Sequence, residues 1–210
     1  MKNHRQGKPT AVGEVLRRYL AKAGLAPRLA QARVIPRWPE LVGTQIAAVT
    51  APESVTPDGT LFVGDRSGTI FRVDAHGHAD TFASVPASVA AFHLAIGPDS
   101  ALYVTAPTLS SYDPVYRVSA DGAVTPAYTG FGRPQGLAFD PSGTLFVVEA
   151  LAGVSGLYRL AAGGAPELVL AGPGLVGVAF DSQGGLVVCS NETAYRLPSM
   201  SEQAGRAKQT

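Results

Sequence analysis

Short apolar runs, cut by turns rich in Gly, Pro and Asp, recur along most of this chain. Leu61-Phe62-Val63, Leu102-Tyr103-Val104, Leu145-Phe146-Val147 and Leu186-Val187-Val188 stand 41, 43 and 41 residues apart. Each follows a turn: Pro57-Asp58-Gly59, Pro98-Asp99-Ser100, Pro141-Ser142-Gly143 and Ser182-Gln183-Gly184. Each precedes an aromatic-Arg-aliphatic run: Phe71-Arg72-Val73, Tyr116-Arg117-Val118, Tyr158-Arg159-Leu160 and Tyr195-Arg196-Leu197. A further run stands before three of the turns, at Leu94-Ala95-Ile96, Leu137-Ala138-Phe139 and Val178-Ala179-Phe180. Another closes three units, at Thr81-Phe82-Ala83, Ala127-Tyr128-Thr129 and Leu168-Val169-Leu170. Runs this short, with β-branched and aromatic residues and turn-formers between them, predict strands.

Four short antiparallel strands per 41–43 residues is the repeat of a β-propeller blade. In chain order the strands of a unit are A, B, C and D. The pattern predicts units of three, four, four and three strands, at about 57–85, 92–130, 135–171 and 176–198. Propellers close with four to eight full blades, so the fold class is mainly β: an incomplete, open propeller of about four blades. Unpaired edges of such an arc invite self-association.

Before residue 57 the period changes. Val12, Val15, Leu16, Tyr19 and Leu20 form one stripe of a helix that Thr10 caps and Gly24 ends. Pro27 suits the first turn of a second helix, with Leu29 and Ala32 inward. A third helix is predicted from about Pro39 to Val49, burying Trp38, Leu41 or Val42, Ile46 and Val49. The expected organisation is therefore a basic flexible start (1–9), a small three-helix segment (10–56), the partial propeller (57–198) and a polar disordered tail (199–210).

Composition narrows the function classes. Charged residues are 16% of the chain, too few for a long coiled coil or a charge-rich disordered protein. A single cysteine, Cys189, excludes an internal disulfide and a Cys-built zinc site. No stretch is apolar enough to span a bilayer, and no apolar run follows the basic start as in a signal peptide, so a cytoplasmic location is expected. The formal net charge of +1 hides an asymmetry: residues 1–40 carry +7 and residues 41–210 carry −6. That basic segment suits an anionic partner as well as it suits a solvated helical surface.

Two resemblances follow. Arg133-Pro134-Gln135-Gly136-Leu137-Ala138-Phe139-Asp140 and the repeat around it resemble NHL and SMP-30/gluconolactonase-like propellers over residues 57–198. Val15-Leu16, Tyr19-Leu20, Gly24-Leu25, Trp38-Pro39-Glu40-Leu41-Val42-Gly43, Ile46-Ala47 and the stretch from Pro52 through Asp58-Gly59-Thr60 to Val63 resemble the opening of a DciA-type protein over residues 10–63. Proteins of that kind load the replicative helicase and bind DNA. The second half of their module is not found after Val63. Asp58-Gly59-Thr60-Leu61-Phe62-Val63 fits both patterns, which suggests a chimera joined there; a short propeller behind a helical leader is the other reading.

Function is sought on the face that carries the D–A and B–C connections, where propeller ligands sit in the families resembled. Its candidate residues are Asp65, Arg66, Tyr112, Asp113, Phe131, Arg133, Gln135 and Glu149. The B–C connection is longest in the second and third units, and extra length on one face is where function concentrates. SMP-30-type lactonases hold a divalent cation on this face, with ligands just before strand A. The matching positions here are Phe92, Gln135 and Val176, of which only Gln135 offers an oxygen side chain. No metal or cofactor is therefore expected, with a divalent cation implied only under a lactonase reading that would use Glu149. His76-Gly77-His78 aligns with Asp121-Gly122-Ala123 and reads as a C–D turn, and His93 falls where Gly136 and Gly177 stand.

Three functions remain in view. The first is a non-catalytic module binding a protein or small molecule on that face. The second is a sugar lactone hydrolase. The third is a DNA- or helicase-binding protein making weak single-stranded DNA contacts through Arg17, Arg18, Lys22, Arg28, Arg33 and Arg37.

Overall fold

The structure is a computed structural model. It describes residues 60–74, 78–90, 92–150, 154–161, 163–181 and 184–197, together with Glu40 in a helical conformation. The three predicted N-terminal helices, the tail and His76 otherwise lie outside the described residues.

Among the described residues, fourteen strands form four antiparallel sheets of three, four, four and three strands, in the grouping that the repeat predicts. The first sheet is β1 (Leu61–Gly64), β2 (Thr69–Val73) and β3 (Ala79–Ser84). The second is β4 (His93–Ile96), β5 (Leu102–Thr105), β6 (Asp113–Val118) and β7 (Val124–Phe131). The third is β8 (Pro134–Phe139), β9 (Leu145–Glu149), β10 (Gly156–Leu160) and β11 (Glu167–Ala171). The fourth is β12 (Leu175–Phe180), β13 (Leu186–Ser190) and β14 (Ala194–Leu197). Strands pair in chain order, so every connection within a sheet is a hairpin.

Side-chain alternation along the B strands explains the packing. Successive residues of a strand point to opposite faces. Leu102 and Val104 turn back into a core with Phe62, Ile70 and Ala83 of the first sheet, while Tyr103 turns forward into the next. Leu145 and Val147 join Val115, Phe131 and Tyr103, while Phe146 and Val148 join Leu175, Phe180 and Val188. Three cores therefore sit between four sheets. Each Leu or Val so buried contributes about 1.5–3 kcal/mol. Edge-on aromatic pairs span two of the cores, Tyr103 with Phe139 at 5.0 Å and Phe146 with Phe180 at 5.1 Å. The inner strands carry the contact from sheet to sheet, β1 on β4, β4 on β8 and β8 on β12. No comparable packing joins the fourth sheet to the first among the described residues.

The repeated arginines are structural. Arg117 Nε donates to Asp99 Oδ2 at 2.8 Å and Arg196 Nε to Asp181 Oδ2 at 2.7 Å, each tying strand C to the A–B turn of its own sheet. Arg159 pairs with Glu167, and the Arg72 guanidinium lies 5.8 Å from the Phe82 ring centre. Burial pushes the Asp99 carboxyl up, but the bond from Arg117 and the backbone N–H of Ala101 outweigh it and hold it below its ordinary value. Just before each repeated aromatic the C–D register slips, at Ile70/Phe71, Val115/Tyr116 and Leu157/Tyr158, a bulge shared by three sheets.

Candidate functional site

The D–A and B–C connections lie together on one rim, stitched by backbone bonds. Val89 N–H donates to the Pro107 carbonyl at 2.8 Å, Ser88 N–H to Arg66 at 3.0 Å and Gly172 N–H to Ser155 at 3.0 Å. Two of the acids on this rim are buried: Glu149 is 1% exposed and Asp113 3%. Glu149 ends the central strand β9 opposite Pro134 and Gly156. Its Oε1 accepts the Gly132 N–H at 3.1 Å and its Oε2 the Arg133 N–H at 3.2 Å. The carboxylate thereby fixes the two-residue connection between β7 and β8. Asp113 does the same for its own long loop: Oδ2 accepts the Thr108 N–H at 2.8 Å and Oδ1 the Thr108 hydroxyl at 2.7 Å. Thr108 Oγ1 in turn accepts the Ser110 N–H at 2.9 Å. A buried carboxylate is tolerated when N–H and O–H donors replace its water.

The other sequence candidates separate by role. Asp65 Oδ1 accepts from Ser67 N–H, Ser67 Oγ and Thr69 N–H, at 2.9, 2.6 and 3.0 Å. Asp140 makes the same three bonds with Ser142 and Thr144. Asp-x-Ser-Gly-Thr is thus one turn used twice, with Gly68 and Gly143 at φ 101° and 84° where only glycine is at ease. The recurrence was readable in the sequence and marks Asp65 as a turn residue. Arg66 Nη2 reaches the Val89 carbonyl at 2.7 Å and holds the connection between the first and second sheets. Phe131 is placed in the core, with its ring 6.1 Å from that of Tyr158, and not on the rim surface. The Gln135 carbonyl accepts the buried Thr105 hydroxyl at 2.6 Å, a bond from the second sheet to the third. Of the eight, Arg66 and Tyr112 are exposed, Tyr112 at 66% beside Leu109 at 88%. The six N-terminal basic residues lie outside the described residues.

Sequence reasoning missed Ser88, Thr105 and Thr108, which tie the rim together. Ser88 is buried and its hydroxyl donates to the Pro107 carbonyl at 2.7 Å. Among the described residues no three or more His, Cys, Asp or Glu side chains are grouped as metal ligands. Phe92 belongs to the core between the first and second sheets. His78 stays in its turn, Nδ1 3.2 Å from Asp74 Oδ2. Burial lowers the pKa of His93, favouring the neutral imidazole on the inner strand β4. No described helix is long and apolar enough to cross a membrane. What the rim offers chemically is a set of loops whose buried acids are engaged within the chain and whose exposed side chains include Val89, Leu109, Tyr112 and Val154 beside Arg66 and Glu192.

Comparison with known proteins divides the chain at its first sheet. The family described as Dna[CI] antecedent, DciA, matches residues 11–70, through β1 and into β2. No curated protein sequence matches the chain. Among solved structures, a gluconolactonase from Xanthomonas campestris superposes with a TM-score of 0.56 at 22% identity, over 73% of this chain and 59% of that one. The virginiamycin B lyase from Staphylococcus aureus gives 0.51 at 15% identity, over 72% and 56%. The calcium-binding protein regucalcin from Agrobacterium tumefaciens gives 0.50 at 20% identity, over 67% and 53%. This chain therefore spans little more than half the length of these structures. Identities this low speak for the fold. The DciA match and the propeller-like fold meet in the first sheet, since residues 11–70 take in β1 and the first residues of β2.

Proposed function

We propose that this chain is a non-catalytic binding module, a propeller fragment that presents its D–A/B–C rim to a protein or small-molecule ligand. One observation carries the reading: the rim's two buried acids, Asp113 and Glu149, direct carboxylate oxygens to loop N–H and O–H groups. A divalent cation needs several oxygens converging on one point. Here Gln135 and Glu149 are the remaining oxygen-bearing candidates for that role. Titration calorimetry with calcium, manganese and zinc is expected to show no binding tighter than about millimolar. Micromolar binding, lost in Glu149→Gln together with hydrolysis of a sugar lactone, would support the hydrolase reading instead.

The DciA match favours a second role, contact of the N-terminal segment with single-stranded DNA or a replicative helicase. Its warrant is charge, because neutralised phosphates release counterions. If three to five of Arg17, Arg18, Lys22, Arg28, Arg33 and Arg37 meet phosphates, the log–log salt slope is about −2 to −4. Fluorescence anisotropy of a labelled oligonucleotide with the full chain measures it. Arg17→Glu, Arg18→Glu and Lys22→Glu together should abolish binding; unchanged binding would remove this role.

A further inference from the structure

The outermost strands of the four sheets differ in how their free edges are guarded. Each of β3, β7, β11 and β14 has a paired strand on one side only among the described residues. Such an edge offers unpaired N–H and C=O groups to another strand, and charges, prolines and bulges block it. β3 carries the exposed Asp80. β7 carries Pro126, which has no N–H to give, and Gly130 at φ 92°. β14 carries Arg196. The bulge before the repeated aromatic is common to the first three sheets, so it does not set their edges apart. β11 has the least protection. Its run Glu167-Leu168-Val169-Leu170-Ala171 holds one charged residue, at its first position. Glu167 is also the only charged residue of the sequence from 160 to 180. Leu168 and Val169 are 40% and 45% exposed.

We propose that β11 pairs along its free edge with β11 of a second copy of this chain, antiparallel about Val169. Two third sheets then become one sheet across a two-fold axis. The composition of the strand selects that occupant. The two-fold sets Val169 against Val169 of the second copy, Leu168 against its Leu170 and Glu167 against its Ala171. Apolar side chains meet apolar side chains, and the one carboxylate meets a methyl group, so no like charges are opposed. Within its own sheet Glu167 is already matched, since Arg159 Nη2 donates to its Oε2 at 2.5 Å. That pair neutralises itself and leaves the edge no net charge with which to recruit a basic or acidic strand. Pro166 and Pro173 stand just outside the strand and confine the pairing to it. Five residues a side make a small interface, so the dimer is a weak one.

Sedimentation equilibrium of the full chain tests this. A monomer–dimer equilibrium is expected, with a dissociation constant between about 1 μM and 1 mM. Val169→Lys sets two ammonium groups opposite each other and should weaken the dimer at least about tenfold. Thr125→Lys, on the edge of β7, should leave it unchanged. Mixing Val169→Lys with Val169→Glu should restore dimers, now of one chain of each kind, which a mere loss of folding would not do. A chain that stays monomeric up to about 1 mM would overturn the proposal. So would dimers that persist in Val169→Lys, an equal loss in Thr125→Lys, or a mixture that fails to recover them.

Discussion

Glu149→Ala should destabilise the chain by about 3 kcal/mol or more, because it strands the Gly132 and Arg133 N–H groups beneath a rim that water does not reach. Glu149→Gln should cost about half as much, since an amide oxygen still accepts one of the two bonds without the charge. Urea denaturation followed by tryptophan-independent far-ultraviolet signals gives both values. The comparison also separates two roles. A carboxylate kept for catalysis is commonly a burden on the fold, and its removal is neutral or stabilising. A change within about 0.5 kcal/mol for Glu149→Ala would therefore count against the structural role assigned to it.

The second large effect is expected where inner strands approach. A Cβ added to Gly136 would stand 2.7 Å from Gly177 Cα and 2.9 Å from the Val176 oxygen and the Val178 nitrogen. All three are backbone atoms, so no side chain can swing aside. Gly136→Val should cost about 3 kcal/mol by overpacking and loosen the fourth sheet from the third. Hydrogen exchange should report it as faster exchange in 175–197 than in 61–73. Gly172→Ala is the control: the added methyl would meet only the flexible Leu175 side chain, at 3.4 Å and beyond. Equal stability of the two variants would show that the strands can part at little cost.

The architecture was legible because each unit repeats a local instruction. Leu61, Leu102, Leu145 and Leu186 each open the B strand of their sheet, and alternation along that strand tells which residue faces which neighbour. Tyr-Arg repetition likewise announced structure, and Arg117 and Arg196 do meet the turns beside them. The rim was less legible. What Glu149 touches depends on a connection 17 residues earlier in the chain, and Phe131 falls into the core because β7 extends to include it. Shared bulges before Phe71, Tyr116 and Tyr158 shift the D strands by a residue, and nothing in the alternation announces them. Asp65 was misleading in isolation, and only its likeness to Asp140 shows that both acids shape hairpins.

Among the described residues, four sheets with three cores between them make a line of neighbours rather than a ring, and a line has no long-range closure to lose. Its free energy is a sum of each sheet's own stability and of pairwise junctions, so disturbance at one end decays with each junction crossed. The second and third sheets hold two junctions each and should exchange their amides most slowly. The fourth holds one, and its last strand, β14, hydrogen-bonds to a neighbour only through β13. Melting should therefore start as fraying there and travel inward, leaving the junction between the second and third sheets as the last part to unfold.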